Sequence, residues 1–349
     1  MTHDETAGAE PAGQSLGAGA DGEATVERFD HYVERCLYGP GTGFYTSAVG
    51  TAGRRGGDFI TGPEVGPLFA EVVARALDAW WAELGRPDPY VVIDAGSGPG
   101  TLARGLERAP GPSAAARRVV TVDRAPGHGA PTADEALGPG VDVAGAVVVA
   151  NELLDNIPFR VAERVAGGWA ELHVGRDRDG RPGEVLVPSD FGPLLPADAE
   201  SLPVGTRVPV LEGARRWMEA VLARRPAVVL VFDYGSPTTV ELGRRGGWLR
   251  TYRQHQRGHD PLREPGRWDI TTDLAVDQLP GPTEVVDQAG FLRRWGIDEL
   301  VDEGRRRWAA GAAAPDLTAL RMRSRAVEAE ALLDPLGLGS WLVCRWSGP

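Results

Sequence analysis

Tyr90-Val91-Val92-Ile93-Asp94-Ala95-Gly96-Ser97-Gly98-Pro99-Gly100 decides the fold. A short apolar run gives way to an acid and a glycine-rich turn, the pattern of a buried parallel strand that ends at a ligand. Thr101-Leu102-Ala103-Arg104-Gly105-Leu106-Glu107 then opens a helix whose free N–H groups face the turn, and the glycines let a ligand approach the backbone. A dinucleotide turn needs G-x-G-x-x-G, but here the third glycine comes one residue early and Thr101 holds its place. That spacing favours S-adenosylmethionine over a nicotinamide cofactor. A second apolar run, Arg118-Val119-Val120-Thr121-Val122, ends in Asp123, about 27 residues past Gly96, where a Rossmann-like unit sets a carboxylate on ribose hydroxyls. A plain loop or a turn-forming Asp explains either feature alone. Their order favours a nucleoside cofactor held by Asp94, Gly96, Ser97, Gly98, Gly100 and Asp123.

The chain has 349 residues, a net charge of −12, 42% hydrophobic residues and ten Trp. This length buries a sizeable core, and the composition suits a folded globular chain. The negative field disfavours nucleic acid and anionic membrane as partners. All 37 basic residues are Arg, a side chain suited to planar anions. Cys36 and Cys344 stand far apart without a Cys/His cluster, so neither a disulfide nor a metal site is expected. No stretch reaches membrane-span length and the N-terminus lacks a signal-peptide pattern, which gives a cytoplasmic location as the expectation. Residues 1–24, rich in Ala, Gly, Asp and Glu, are expected to form a disordered tail.

Between Pro63 and Trp81, Val65, Leu68, Phe69, Val72, Val73, Ala76, Leu77 and Trp80 recur at helical spacing. The glycine- and aromatic-rich stretches from Tyr38 to Thr46 and from Gly56 to Thr61, with Asp58, read as an ordered loop over the cofactor, or else as a structural turn. Ala146-Val147-Val148-Val149-Ala150 reads as a buried parallel strand, followed by Asn151-Glu152-Leu153-Leu154-Asp155-Asn156-Ile157-Pro158. Ligands of open α/β sheets sit at the carboxyl ends of strands. Asn151, Glu152 and Asp155 are therefore candidate catalytic residues, and Asn151 a cofactor contact as well, with helix capping as the plainer alternative. Phe159 to Val174 alternates like a hairpin around Gly167-Gly168, and 182–210 reads as an irregular Pro-rich insertion. Leu211 to Arg225 reads as a helix. Ala227 to Phe232 is a further strand, bringing Asp233 and Tyr234 to the same rim. The stretches from Gly246 to His255 and from Trp268 to Thr272 read as a substrate lid. Asp58, Asp233, Tyr234, Arg250 and His255 are the substrate-side candidates, although a lone His is more often merely solvated. Gly339 to Trp346 closes the chain as a final strand.

Six stretches together resemble one family: GGDFITGPEVGPLFAE at 56–71, DAGSGPGTL at 94–102, NELLDNIPF at 151–159, FDYG at 232–235, GWLRTYRQH at 247–255 and DIT at 269–271. Their order and wording resemble the MidA family, a likeness that runs from about Arg28 to Trp346. It implies a methyltransferase dependent on S-adenosylmethionine, with Gly96, Gly98 and Gly100 as cofactor glycines and Asp123 on the ribose. The family's eukaryotic members are mitochondrial complex I assembly factors, described as protein arginine methyltransferases. Asp94-Ala95-Gly96-Ser97-Gly98-Pro99-Gly100 stands where the family usually has Glu-Leu-Gly-Pro-Gly-Arg-Gly, and Leu154 replaces a usual Phe.

The expected fold is a class I methyltransferase, an α/β Rossmann-like seven-stranded sheet with an N-terminal helical cap and an inserted substrate-side subdomain. The expected division of 25–349 as one elaborated domain is a cap at 25–85, a cofactor-binding half at 86–158, an insertion at 159–225 and a C-terminal half with substrate-side loops at 226–349. The expected reaction is direct methyl transfer to a protein arginine, with a small-molecule nitrogen or oxygen acceptor as the alternative. A non-catalytic assembly factor is the alternative of another class, and the intact glycines and Asp123 argue against it. The expected partners are a protein substrate or a small-molecule acceptor, with a homodimer allowed.

Overall fold

The computed structural model describes residues 26–47, 61–124, 137–138, 140–176, 179–254, 256–311 and 316–348. The described chain starts with strand β1 (Glu27–Arg28) and helix α1 (Phe29–Tyr38), which buries Phe29, Tyr32, Val33, Cys36 and Leu37 along one stripe. Next come α2 (Gly62–Val65) and α3 (Pro67–Glu83). The single helix expected from Pro63 to Trp81 is broken at Gly66, because a proline starts the second piece where its missing N–H costs nothing. Then follow β2 (Tyr90–Ala95), α4 (Thr101–Arg108), β3 (Arg117–Val122) and β4 (Val147–Asn151). A β-rich stretch holds β5 (Arg160–Val165), β6 (Gly168–Arg176), β7 (Pro182–Ser189) and β8 (Arg207–Val210). The rest comprises α5 (Glu212–Ala223), β9 (Val228–Asp233), β10 (Gly235–Ser236), α6 (Thr239–Arg245), β11 (Leu249–Arg253), β12 (Gln256–Gly258), β13 (Asp269–Thr272), β14 (Leu274–Ala275), β15 (Glu284–Asp287), α7 (Gln288–Arg294), α8 (Ile297–Gly311), α9 (Leu317–Leu332) and β16 (Leu342–Ser347).

The main sheet runs β15-β16-β9-β4-β2-β3. Its β3, β2, β4 and β9 are mutually parallel, while at one side β16 runs antiparallel to β9 and β15 antiparallel to β16. Among the described residues it has six strands, one fewer than the seven expected. Alternate residues serve the two faces, as strand periodicity demands. Val147 and Val149 pack with α3, α4, α8 and α9, and Val148 and Ala150 pack with α1 and α5. The N-terminal helices thus divide between the two faces rather than gathering into one layer. The register brings Ala95 beside both Val122 and Ala150, and Asn151 beside Phe232. The residues that follow β2, β3, β4 and β9 therefore emerge side by side at one carboxyl edge.

Two expectations for the remaining chain need correction. Residues 182–210 are not irregular throughout: β7 pairs with β6, and β8 pairs with β5. Pro182, Pro188 and Pro209 are accommodated because both strands lie at sheet edges, where a missing N–H breaks no second ladder. The stretch around Arg250 is not a loop either. It is β11, paired antiparallel with β12 and β13.

Candidate active site

The turn after β2 is built on backbone conformations that favour glycine. Gly96, Gly98 and Gly100 have φ of 70°, 49° and 70°. A Cβ on Gly96 would lie 2.9 Å from Leu153 Cδ1, whereas one on Gly98 would meet nothing within 4 Å among the described residues. Gly98 therefore faces open space, while Gly96 seats the segment that follows β4. The Gly98 N–H donates to Asp123 Oδ2 at 2.7 Å. Ser97 Oγ is buried and finds no hydrogen-bond partner among the described residues. Asp94 is turned inward: 2% exposed, its Oδ2 accepts the Ala103 N–H of α4 at 3.1 Å. Burial pushes its carboxyl up to about 7 against that hydrogen bond. Its contact is with the first turn of α4 rather than with an open cleft.

Beside this turn, β4 and β9 end in a cluster of acids. Asn151, the last residue of β4, donates through Nδ2 to Glu152 Oε1 at 3.0 Å. Glu152 has a φ of 54° and donates its N–H to Phe232 O at 2.9 Å, which bends the chain over the end of β9. Leu154–Asn156 then forms a short 3-10 turn. The Asp155 N–H donates to Asp233 Oδ2 at 3.2 Å and the Tyr234 N–H to Asp233 Oδ1 at 3.0 Å. Asp155 Oδ2 accepts the Tyr234 hydroxyl in a short hydrogen bond and the Thr271 hydroxyl at 2.9 Å. Asp155 Oδ1 and Asn151 Oδ1 are buried and have no hydrogen-bond partner among the described residues.

Burial dominates the electrostatics. It raises the Glu152 carboxyl well above its ordinary range, helped by the charge of Asp155, while the Asn151 amide and the Gly62 backbone oppose it. Asp233 is likewise held high by burial and then by Asp155 and Glu152. Burial lifts Asp155 to about 6, against the Tyr234 and Thr271 hydroxyls and the Arg250 charge. The site crowds three acids whose charged forms burial disfavours.

The structure joins Asn151, Glu152, Asp155, Asp233 and Tyr234 by direct contacts, but Asp233 does not reach an open rim. It is 1% exposed and both its oxygens accept backbone N–H groups, so it holds the turn in place. Arg250 adjoins through Tyr234, with its guanidinium 4.7 Å from the ring centroid, and pairs with Asp273 Oδ1 at 2.5 Å. Asp58 and His255 lie outside the described residues. Sequence reading missed Tyr45, Asn156, Asp269 and Thr271. Asn156 Nδ2 donates to Asp269 Oδ1 at 3.0 Å, and the Tyr45 hydroxyl donates to the same oxygen at 3.1 Å. The stretches that hold Asn156, Asp269 and Thr271 were singled out above, but nothing local marks their meeting.

An open face at Gly98, a spare buried hydroxyl on Ser97 and a carboxylate at the end of β3 fit a nucleoside cofactor. Residues 136–291 match the family model described as "Putative S-adenosyl-L-methionine-dependent methyltransferase". A crystal structure from Burkholderia thailandensis with S-adenosyl-homocysteine bound is similar at a TM-score of 0.76 and 25% identity, over 92% of this chain and 88% of that one. The stretch that matches the family model is a little under half of the chain. The chain is also 27% identical over 293 residues to a Drosophila melanogaster protein named "Protein arginine methyltransferase NDUFAF7 homolog, mitochondrial". That match covers 70% of this chain and 63% of the fly protein, so the chain spans just under two thirds of that relative's length. A Danio rerio relative, "Protein arginine methyltransferase NDUFAF7, mitochondrial", is 24% identical over 76% of this chain and 72% of its own. The glycine turn and Asp123 fit S-adenosylmethionine, which would supply an electrophilic methyl group when bound.

Proposed function

We propose that the protein is a methyltransferase dependent on S-adenosylmethionine that methylates an arginine side chain of a protein by direct transfer. The observation that carries this reading is the pair of buried oxygens, Asn151 Oδ1 and Asp155 Oδ1, that find no partner among the described residues within a crowd of acids. A buried acceptor without a donor is costly, so the site favours a ligand that brings donors. A guanidinium brings five N–H groups and no acceptor, together with a positive charge that would relieve the crowding of Glu152, Asp155 and Asp233.

In this reading Asp155 and Asn151 orient the guanidinium; as the nitrogen–methyl bond forms and the methyl–sulfur bond would break, ionised Glu152, a stronger base for its burial, takes the proton that nitrogen loses. Asp233 keeps the turn in place, and Tyr234 and Thr271 aim the Asp155 carboxyl. The net charge of −12 favours a basic protein segment. The names of the fly and fish relatives support the same acceptor.

The test is incubation with methyl-labelled cofactor and a protein extract, then acid hydrolysis and amino-acid analysis. Label in methylarginine supports the proposal. Label confined to small metabolites overturns it in favour of a small-molecule nitrogen or oxygen acceptor.

A further inference from the structure

Helix α2, Gly62–Val65, is fixed from two sides. Behind it, Glu328 of α9 accepts the Leu68 N–H at 3.0 Å, and its carboxylate packs so closely on Gly66 that an added Cβ would lie 2.2 Å from Cδ. In front, the Thr101 hydroxyl donates to Glu64 Oε1 in a short hydrogen bond. Thr101 is the first residue of α4 and directly follows Gly100, so the contact sets a half-buried carboxylate against the exit of the glycine turn. Glu64 Oε2 has no partner among the described residues. Glu64 thus holds an acceptor in reserve where the cofactor turn becomes a helix.

The other acids near the turn are committed. Asp94 is bonded to Ala103, and Asp123 holds Gly98 at the side assigned to the ribose. The opposite end of the turn is left for the amino-acid end of S-adenosylmethionine, which carries one carboxylate and one ammonium. The carboxylate suits the N–H groups and dipole at the start of α4, beside the spare hydroxyl of Ser97. The ammonium needs an acidic acceptor. We propose that Glu64 is that acceptor, a cofactor-binding residue that recognises the α-ammonium of the methionine end and that Thr101 aims. The inference rests on the cofactor assignment.

The experiment compares two probes by calorimetry: S-adenosyl-homocysteine, which has the amino-acid end, and 5′-methylthioadenosine, which lacks it. Glu64→Gln keeps an acceptor for Thr101 and removes only the charge. It should weaken S-adenosyl-homocysteine about tenfold and leave 5′-methylthioadenosine unchanged, as expected for a lost charge-assisted contact. Glu64→Asp should recover part of that loss. Equal losses for both probes would mean that Glu64 only supports the turn, and an unchanged affinity for S-adenosyl-homocysteine would leave it no role; either overturns the proposal. If the unaltered protein binds neither probe, the cofactor assignment itself falls, and the proposal with it.

Discussion

The backbone N–H of Gly98 meets Asp123 Oδ2 at 2.7 Å, so the acid that ends β3 steadies the glycine turn that ends β2. One carboxylate then shapes the turn, and in the proposed cofactor site it also serves the ribose. Asp123→Ala should raise the Kd for S-adenosyl-homocysteine roughly tenfold or more, the loss expected for a charged hydrogen bond. Asp123→Asn, which keeps an acceptor for Gly98, should lose less. Equal affinity of Asp123→Ala and the unaltered protein in calorimetry would remove Asp123 from the site.

Two glycines of the same turn should respond differently to alanine. At Gly96 the new Cβ would collide with Leu153 at 2.9 Å on top of a φ of 70°, so the cost falls on folding. At Gly98 the methyl group would enter open space, and only the φ of 49° opposes it, about 1 kcal/mol. Gly96→Ala should therefore lower Tm markedly. Gly98→Ala should lower it little yet weaken cofactor binding, because the methyl group occupies the face that the cofactor approaches. Thermal unfolding and calorimetry on both variants separate the two effects.

The sequence made this half of the site legible because a strand that runs straight into glycines leaves a local trace. The hairpin of β5 and β6 was legible for the same reason. The Asn156–Asp269–Tyr45 contact was not, since its three members come from segments more than 100 residues apart and each looks ordinary at home. The strand that carries Arg250 was hidden by the glycine pair at 246–247, which resembles a loop until β13 pairs with it across the sheet. Prolines misled in the same direction. They mark Pro182–Ser189 and Arg207–Val210 as turns to a reader who cannot see that both are edge strands.

Arg250 has a structural duty that its place in the sequence does not reveal. Its guanidinium pairs with Asp273, which is fully buried and also pairs with Arg245. Burial lifts Asp273 to about 6 even with these partners. Arg250→Gln should destabilise the fold by about 2 kcal/mol, because a buried carboxylate loses one of two counter-charges. Its KM for the cofactor should hold. A variant with unaltered Tm and a raised KM for the acceptor would instead make Arg250 a substrate contact.

Asp155 should give the protein a readable pH signature. Burial raises its carboxyl to about 6 in the folded protein, while in the unfolded chain it titrates near an ordinary aspartate value, about 4. Between those values the folded state holds a proton that the unfolded chain has released, so stability falls as pH rises from about 4 to about 6. Above that window Asp155 is ionised in both states and adds no further slope. Asp155→Asn should flatten this part of the stability profile. The same proton must leave before Asp155 can pair with a guanidinium. For an arginine acceptor kcat/KM should therefore climb as pH rises through about 6 and then level, and in Asp155→Asn the climb should vanish with a lower plateau. Rate measurements between pH 5 and pH 8 decide it. An unchanged climb in the variant would show that another group, with Glu152 the first to examine, sets the pH dependence.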